Sequence, residues 1–176
     1  MNKIIFLGDS ITKLGDWKTL LPDFDIDNYG VSGNKTYQVT ERVERLFNKK
    51  SNQLFLLIGI NDLGDNRTVY NIEKDYRRLV NLILENDVAS DINLVSVLPI
   101  KEGELSKPGL KPEKILQLND TLKVIVKDNN LKFVDIYSSF ADKNGELKEG
   151  YTNDGLHLNE EGYKIYSSSI KKYLKR

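Results

Sequence analysis

The sequence predicts a three-layer α/β domain built around a parallel sheet. Short apolar runs alternate along the chain with longer segments of helical periodicity. Near-continuous apolar runs are typical of strands that are buried on both faces, as in a parallel sheet. Right-handed crossovers between such strands place helices on both faces of the sheet, which gives a doubly wound fold. The sequence contains no internal repeat, low-complexity tract or linker, so we expect a single domain over residues 1–176.

Five apolar runs are the predicted strands. In chain order they are Ile4–Leu7, Phe24–Tyr29, Leu54–Ile58, Ile92–Leu98 and Leu131–Ile136. Glycine directly follows each of the first three runs and proline follows the fourth, and both residues interrupt strands. Ligands of such sheets bind beyond the carboxyl ends of the strands, so we expect functional residues directly after these runs.

Amphipathic segments between the runs are the predicted helices. Their apolar faces are Val39, Val43, Leu46 and Phe47; Val69, Ile72, Tyr76, Leu79, Val80 and Ile83; and Ile115, Leu118, Leu122, Ile125 and Val126. Pro112 suits the first turn of a helix, because that turn does not need its backbone N–H. Asn159 is a suitable N-cap for a last helix, which begins with Glu160 and Glu161. The residues expected to pack that helix onto the sheet are Tyr163, Tyr166, Ile170 and Tyr173.

Composition and charge narrow the classes of protein that fit. Lys plus Arg and Asp plus Glu both number 26, so the formal net charge is zero. That balance gives no electrostatic reason to expect nucleic acid or an acidic membrane surface as a partner. The absence of cysteine excludes disulfides, thiol catalysis and thiolate metal sites. The apolar run near the N-terminus is too short for a signal peptide or a membrane span, so we expect a cytoplasmic protein without a membrane span. The oligomeric state stays open.

Gly8-Asp9-Ser10 follows the first run directly and brings a hydroxyl to the functional edge of the sheet. Ser10 is expected near the start of a helix, where backbone N–H groups can stabilise an anion. The apolar residues of that helix are Leu14, Trp17 and Leu20. Ser10 is therefore a candidate nucleophile. A strand-to-helix turn with a serine cap explains the same three residues, and the tripeptide alone does not decide between the two.

His157 is the only histidine, and it lies immediately before the last predicted helix. A serine nucleophile needs a base that accepts its proton near neutral pH, and imidazole can do so. The base in turn needs a carboxylate that orients the ring and stabilises the imidazolium. Asp154 can supply that carboxylate across a turn that contains Gly155. A surface histidine beside a turn aspartate is the alternative interpretation.

Two further segments supply candidate donors for the oxyanion of acyl transfer. In Gly59-Ile60-Asn61-Asp62, the amide of Asn61 is one candidate, and Gly59 allows close backbone approach. In Gly30-Val31-Ser32-Gly33-Asn34, the N–H of Gly33 is another. Ordinary turns are the alternative for each segment taken alone. Unrelated turns have no reason to supply every part of one mechanism, so the segments together predict an acyl-transfer enzyme.

In this order the segments resemble the SGNH (GDSL-type) hydrolase superfamily, and the likeness extends over nearly the whole chain. The blocks that carry it are Gly8-Asp9-Ser10-Ile11, Gly30-Val31-Ser32-Gly33, Gly59-Ile60-Asn61-Asp62 and Asp154-Gly155-Leu156-His157. The resemblance implies a flavodoxin-like α/β/α sandwich with a five-stranded parallel sheet. It implies Ser10 as nucleophile, His157 as base and Asp154 as its partner. It also implies an oxyanion hole formed by the N–H groups of Ser10 and Gly33 and by the Asn61 amide.

We therefore predict a serine esterase that needs no metal and no organic cofactor. The candidate pocket walls, residues 63–68, 101–111 and 138–152, are mostly polar, which favours a short acyl group such as acetyl on a saccharide or another small polar molecule. The stretch from Val95 to Thr152 also resembles a bacterial subfamily linked to surface-polysaccharide genes, which favours a saccharide.

Several alternatives stay open for the same site. A loop around Gly103, Pro108 and Gly109 could reshape the pocket for lysophospholipids or thioesters. O-Acyl transfer to a sugar hydroxyl would use the same triad. A non-catalytic flavodoxin-like binding module is a further alternative, although the absence of a P-loop motif counts against nucleoside triphosphates.

Overall fold

The computed structural model describes residues 2–102 and 109–175, and it contains a five-stranded parallel sheet. The strands are β1 (Lys3–Gly8), β2 (Asp25–Gly30), β3 (Gln53–Leu57), β4 (Ile92–Val95) and β5 (Lys132–Val134). They lie in the order β2-β1-β3-β4-β5, and every neighbouring pair is parallel. The predicted α/β fold is confirmed. Gly103 and Pro108, to which we attributed a pocket-shaping loop, lie outside the described residues.

Helices cover both faces of this sheet and form the outer two of the three layers. The α-helices are α1 (Ser10–Leu14), α2 (Trp17–Leu20), α3 (Thr36–Arg42), α4 (Ile60–Gly64), α5 (Val69–Glu85), α6 (Pro112–Asp128), α7 (Tyr137–Phe140) and α8 (Glu160–Lys171). Turns of 3₁₀ helix form at Val43–Leu46 and Glu149–Tyr151. As predicted, Pro112 opens α6 and Asn159 caps α8. Within the described ranges, no helix combines the length and the apolar character that a bilayer crossing requires.

Alternate residues of the central strands point to opposite faces of the sheet, and each face has its own apolar core. In β1, Ile5 and Leu7 belong to the core under α3, α5 and α6. Ile4 and Phe6 belong to the core under α1, α2, α7 and α8. All four side chains are buried. This burial on both faces is the reason why the central strands β1, β3 and β4 are near-continuous apolar runs, whereas the edge strand β2 is only partly buried.

The last two strands are shorter than their apolar runs. β4 ends at Val95, although the apolar run continues beyond it. The side-chain amide of Asn119 in α6 accepts a hydrogen bond from the Val97 N–H at 2.8 Å and donates to the Val97 carbonyl at 3.0 Å. A side chain therefore takes the hydrogen bonds that a neighbouring strand would otherwise make. Ser96 Oγ similarly accepts from the Ile136 N–H at 2.9 Å, beyond the end of β5.

The helix predicted after Ser10 is divided in two. α1 ends at Leu14 and α2 begins at Trp17, with Gly15 in an extended conformation between them. A Cβ at Gly15 would lie 2.4 Å from the Trp17 ring, so this close turn requires glycine. The turn directs the Trp17 indole N–H to the Thr12 carbonyl at 2.8 Å. The buried indole thus has a hydrogen-bond partner, as such groups generally do.

The apolar face predicted over Val39–Phe47 is present, but the backbone changes from α-helix to 3₁₀ helix after Arg42. Val39, Val43 and Leu46 are buried in the core, while Phe47 packs against it partly buried. A tighter 3₁₀ turn is common where an α-helix ends, and here it leads into the segment before β3.

The sheet has its switch point at β1. The chain leaves β1 for β2 on one side and later returns to β3 on the other side. Gly8 at the end of β1 pairs with Gly30 of β2 and with Leu57 of β3, so the loops after these three strands begin side by side. Ligands of doubly wound sheets bind in the crevice that such a divergence leaves. The loops after β1, β2 and β3 therefore define where a site is expected.

Candidate active site

Ser10 is the first residue of α1, directly beyond the carboxyl end of β1. The N-cap of this helix is Asp9, whose Oδ1 accepts a hydrogen bond from the Ile11 N–H at 3.0 Å. The alternative of a serine cap is therefore wrong, and the Ser10 hydroxyl is available to another partner. The residue is only 7% exposed.

His157 is that partner. Its Nε2 lies 3.1 Å from Ser10 Oγ, and its Nδ1 lies 2.7 Å from Asp154 Oδ2. The structure thus brings together the three side chains that the sequence predicts as nucleophile, base and carboxylate. In this arrangement a histidine can take the proton of a serine while the carboxylate orients the ring.

Asp154 is held by a turn that closes on its own carboxylate. Its Oδ1 accepts hydrogen bonds from the backbone N–H groups of His157 at 2.7 Å and Leu156 at 3.0 Å. Burial by itself would raise the pKa of Asp154, but these bonds and the one to the His157 ring outweigh it and lower that pKa to about 2. Asp154 is therefore ionised at neutral pH. Thr152, which we predicted only as part of a polar pocket wall, supports the turn because its Oγ1 accepts from the Gly155 N–H at 2.9 Å.

The candidate oxyanion donors lie on neighbouring loops. Gly33, after β2, has a φ of +77°, in the left-handed region that favours glycine. Asn61 lies in the first turn of α4 and follows Gly59, whose φ is +122°. The Asn61 amide donates to the Asn34 carbonyl at 3.1 Å, so the amide lies against the backbone next to Gly33. An amide carries two N–H groups, which leaves one donor for a ligand.

A buried aspartate joins these two loops, and sequence reasoning gave it no role. Asp62 is fully buried, and its Oδ2 accepts hydrogen bonds from the Thr36 N–H at 2.9 Å and the Thr36 hydroxyl at 3.1 Å. Its Oδ1 accepts from Arg67, whose Nη2 donates to Asp75 at 2.6 Å. The loop after β2 is thereby held to α4 by charge-assisted hydrogen bonds. Asp62 directly follows Asn61 in the sequence, which indicates that it lies near the site, but this adjacency does not predict that its side chain is buried.

A small, mostly apolar cavity lies beside Asp9 and Ile11, the two neighbours of Ser10 in the chain. Its volume is ≈ 10 Å³, roughly the room that one water-sized sphere needs. The lining residues are Asp9, Ile11, Leu57, Ile58, Ile60, Val97, Leu98, Pro99 and Leu156. Of the polar pocket walls that we predicted from the sequence, residues 63–68, 101–111 and 138–152, the described part contributes none of these lining residues. Apart from Asp9, the lining side chains are apolar, and they come from the end of β3, from α1 and α4, and from the segments after β3, β4 and Gly155.

Asp9 contributes a buried carboxyl to this lining. Its Oδ1 caps α1, whereas its Oδ2 has no hydrogen-bond partner among the described residues. Burial raises the pKa of Asp9 to about 7, against the opposing effects of the Ile11 N–H and of His157. The carboxyl is therefore mostly neutral below pH 7, although it directly precedes the candidate nucleophile.

Comparisons with known proteins agree with this geometry. Residues 6–165 match the model of the GDSL-like Lipase/Acylhydrolase family. A structure from Streptococcus pneumoniae, provisionally described as a platelet activating factor, is 30% identical with a TM-score of 0.92, covering 98% of this chain and 83% of that one. An acetyl-xylooligosaccharide esterase from Geobacillus is 20% identical with a TM-score of 0.79, covering 99% of this chain and 95% of that one. The second likeness is one of fold.

Curated relatives of the chain are longer proteins. The N-acylneuraminate cytidylyltransferase of Streptococcus agalactiae serotype V is 24% identical over 162 residues, which cover 92% of this chain and 38% of that protein. The chain thus spans less than half the length of the curated relatives that it matches. The family model, in contrast, matches most of the chain, from β1 into α8. The chain therefore belongs to the GDSL-like lipase/acylhydrolase family.

Proposed function

We propose that this chain is a serine esterase that removes a short acyl group, such as acetyl, from a carbohydrate or another polar carrier. The observation that carries the proposal is the line of contacts from Ser10 Oγ to His157 Nε2 at 3.1 Å and from His157 Nδ1 to Asp154 Oδ2 at 2.7 Å. A serine hydroxyl becomes a nucleophile when a neighbouring base accepts its proton in the transition state. These contacts supply the base and the carboxylate that orients it.

In the first half of the reaction, Ser10 Oγ attacks the carbonyl carbon of the ester while its proton moves to His157 Nε2. The carbonyl oxygen takes the negative charge, and the ionised Asp154 stabilises the imidazolium. The bond between the carbonyl carbon and the alcohol oxygen then breaks, and His157 gives its proton to the leaving alcohol. An acyl-serine remains.

In the second half, water takes the place of the alcohol. His157 accepts a proton from the water as the oxygen attacks the acyl carbon. The bond to Ser10 Oγ breaks, the proton returns to Ser10, and the carboxylic acid leaves. Every proton that moves passes through His157 Nε2, the ring atom that faces Ser10.

We assign the stabilisation of the oxyanion to the N–H groups of Ser10 and Gly33 and to the second N–H of the Asn61 amide. One N–H of that amide already donates to the Asn34 carbonyl at 3.1 Å, which orients the amide before substrate binds. Donors that are oriented in advance stabilise the transition state without reorganisation at the moment of reaction.

The short acyl group is supported by the small size of the cavity that Asp9 and Ile11, the neighbours of Ser10 in the chain, help to line. Its ≈ 10 Å³ is roughly the room that one water-sized sphere needs, so it offers no space for a long acyl chain. The carbohydrate is supported by the proteins that the chain resembles, since the Geobacillus esterase acts on acetylated xylo-oligosaccharides and the Streptococcus agalactiae enzyme on an N-acylneuraminate. Both are polar carriers.

Hydrolysis of p-nitrophenyl acetate, butyrate and octanoate by the wild type, Ser10→Ala and Ser168→Ala tests the proposal. Ser168 is an exposed serine of α8, so its loss controls for the substitution itself. We expect the wild type and Ser168→Ala to hydrolyse acetate fastest, and Ser10→Ala to lose at least ~10³-fold in kcat. Full activity of Ser10→Ala would show that Ser10 is not the nucleophile. Preference for octanoate would contradict the short acyl group.

The same variants are then assayed with natural molecules that carry an acyl group. An acetylated xylo-oligosaccharide and an O-acetylated N-acylneuraminate represent the carbohydrate class, and a lysophospholipid and an acyl thioester represent the alternatives. Released acetate and free acyl product are measured with and without an added sugar acceptor. We expect acetate release from a carbohydrate; an acyl group that moves to the acceptor instead of to water would identify an acyltransferase.

A further inference from the structure

One arginine holds the loop that carries Gly33 against the ends of two strands. The Arg42 Nε donates to Asn34 Oδ1 at 2.7 Å. Its Nη2 donates to the Gly8 carbonyl of β1 at 3.0 Å and to the Tyr29 carbonyl of β2 at 3.1 Å. Arg42 is the last residue of α3, so a single side chain connects α3, β1, β2 and the loop after β2.

Arg42 differs from the other buried or half-buried charges near the site because its partners are neutral. Among the described residues, no carboxylate lies within ion-pair distance of it. Burial and the nearby Arg45 lower the pKa of Arg42, yet a guanidinium stays charged at neutral pH. A half-buried cation without a counter-ion is costly unless its hydrogen bonds are well made.

Asn34 passes that geometry on to both proposed oxyanion donors. It follows Gly33 directly, and its own N–H donates to the Val31 carbonyl at 3.1 Å, which closes the turn around Gly33. Its side chain is held by Arg42, while its carbonyl accepts the Asn61 amide at 3.1 Å. The position of Asn34 therefore affects the Gly33 N–H through the chain and the Asn61 amide through a hydrogen bond.

We infer that Arg42 is a positioning residue, which sets the geometry of the oxyanion donors Gly33 and Asn61 through its contact with Asn34. The inference rests on the proposed function, since it takes these two groups as the donors. Donors stabilise an oxyanion only at hydrogen-bond distance from the atom on which the charge develops. A small displacement of Asn34 therefore lowers kcat more than it weakens the binding of substrate. Arginine suits this role because its planar fork reaches three acceptors at fixed angles, which a lysine ammonium does not.

The test compares Arg42→Lys and Asn34→Ala with Arg78→Lys, a matched change at an exposed arginine of α5. With p-nitrophenyl acetate we expect kcat to fall about 10- to 100-fold in the first two variants, somewhat less than the ~10²–10³ for loss of a donor itself. KM should stay within about twofold, and Arg78→Lys should match the wild type. Asn34→Ala keeps the charge of Arg42 and tests the inference even where Arg42→Lys fails to fold.

A double variant of Asn34 and Asn61 distinguishes a positioning role of the contact between Arg42 and Asn34 from a general structural role. In an Asn61→Ala background the donor is already absent, so Asn34→Ala should lower kcat only a few-fold further. An undiminished loss in that background, or wild-type kcat in both Arg42→Lys and Asn34→Ala, would overturn the inference. If Ser10→Ala is inactive while Asn34→Ala is fully active, the proposed function stands and only this inference fails. If Ser10→Ala keeps full activity, both fail.

Discussion

Asp9→Asn tests whether the buried carboxyl beside Ser10 is neutral in the folded protein. Asparagine has nearly the same shape, and its Oδ1 can still accept the Ile11 N–H that caps α1 at 3.0 Å. The substitution therefore removes the titration of residue 9 and keeps the cap. His157 and Asp62, which influence the pKa of Asp9, are present in both proteins, so the comparison differs only in the side chain of residue 9.

The expected magnitude follows from the two pKa values of Asp9. The ordinary value is 3.8, and burial raises the pKa in the folded state to about 7. Between these values the folded state keeps a proton that the unfolded state has released. The stabilisation is therefore complete below about pH 4, and it declines as the pH rises through the folded pKa. One pKa unit corresponds to ~1.4 kcal/mol, so Asp9 should lower the free energy of unfolding by about 2.5 kcal/mol between pH 5 and pH 8.

Urea denaturation at pH 5, 6, 7 and 8 and constant ionic strength measures this decline. The wild type should lose about 2.5 kcal/mol more than Asp9→Asn over that range. Asp25→Asn, at an exposed carboxylate on the edge strand β2, is the control for the lost charge and should follow the wild type. Parallel curves for the wild type and Asp9→Asn would refute the reasoning, because Asp9 would then be equally ionised in the folded and unfolded states.

Two further predictions concern the turns around the site. Gly59→Ala should lower the free energy of unfolding by about 1–3 kcal/mol, since φ is +122° and the new Cβ would lie 2.7 Å from Leu118 Cδ2. Gly150→Ala is its control, because a Cβ there meets nothing within 4 Å, and equal urea midpoints for both variants would contradict the prediction. Thr152→Val should lower kcat about tenfold and stability by ~1 kcal/mol, because the Gly155 N–H loses an acceptor at 2.9 Å and the Asp154 turn loosens. Esterase kinetics beside Thr121→Val, a change on the surface of α6, check this, and unchanged kcat would show that the hydroxyl does not matter.

Much of the fold could be predicted because its signals are local. The apolar runs mark the strands, and Pro112 and Asn159 mark the starts of α6 and α8. The candidate site could also be predicted, because parallel strands bring their carboxyl ends to one edge and Ser10, Asn61 and His157 each belong to a short segment there. The roles of these three residues stay predictions until the variants are measured.

The differences from the sequence predictions come from side-chain contacts that periodicity along the chain does not reveal. The amide of Asn119 ends the strand pairing at Val97, although the two residues are far apart in the sequence. The ring of Trp17 divides the first helix at Gly15, where the apolar spacing predicted a continuous one. Periodicity along the chain carries no information on which distant side chain will take a backbone hydrogen bond.

The sequence by itself determined the α/β fold, the strand-end positions of the candidate residues and the short turn that joins Asp154 to His157. Only the tertiary structure decided the burial of Asp9, the polar link from Arg42 through Asn34 to Asn61, and the mostly apolar cavity that Asp9 and Ile11 line. Patterns of neighbouring residues specify local backbone structure, because sterics and periodic burial act over a few residues. Burial, desolvation and the partners of a charged group depend on what the rest of the chain packs around it, and that is settled only when the sheet and its helices come together.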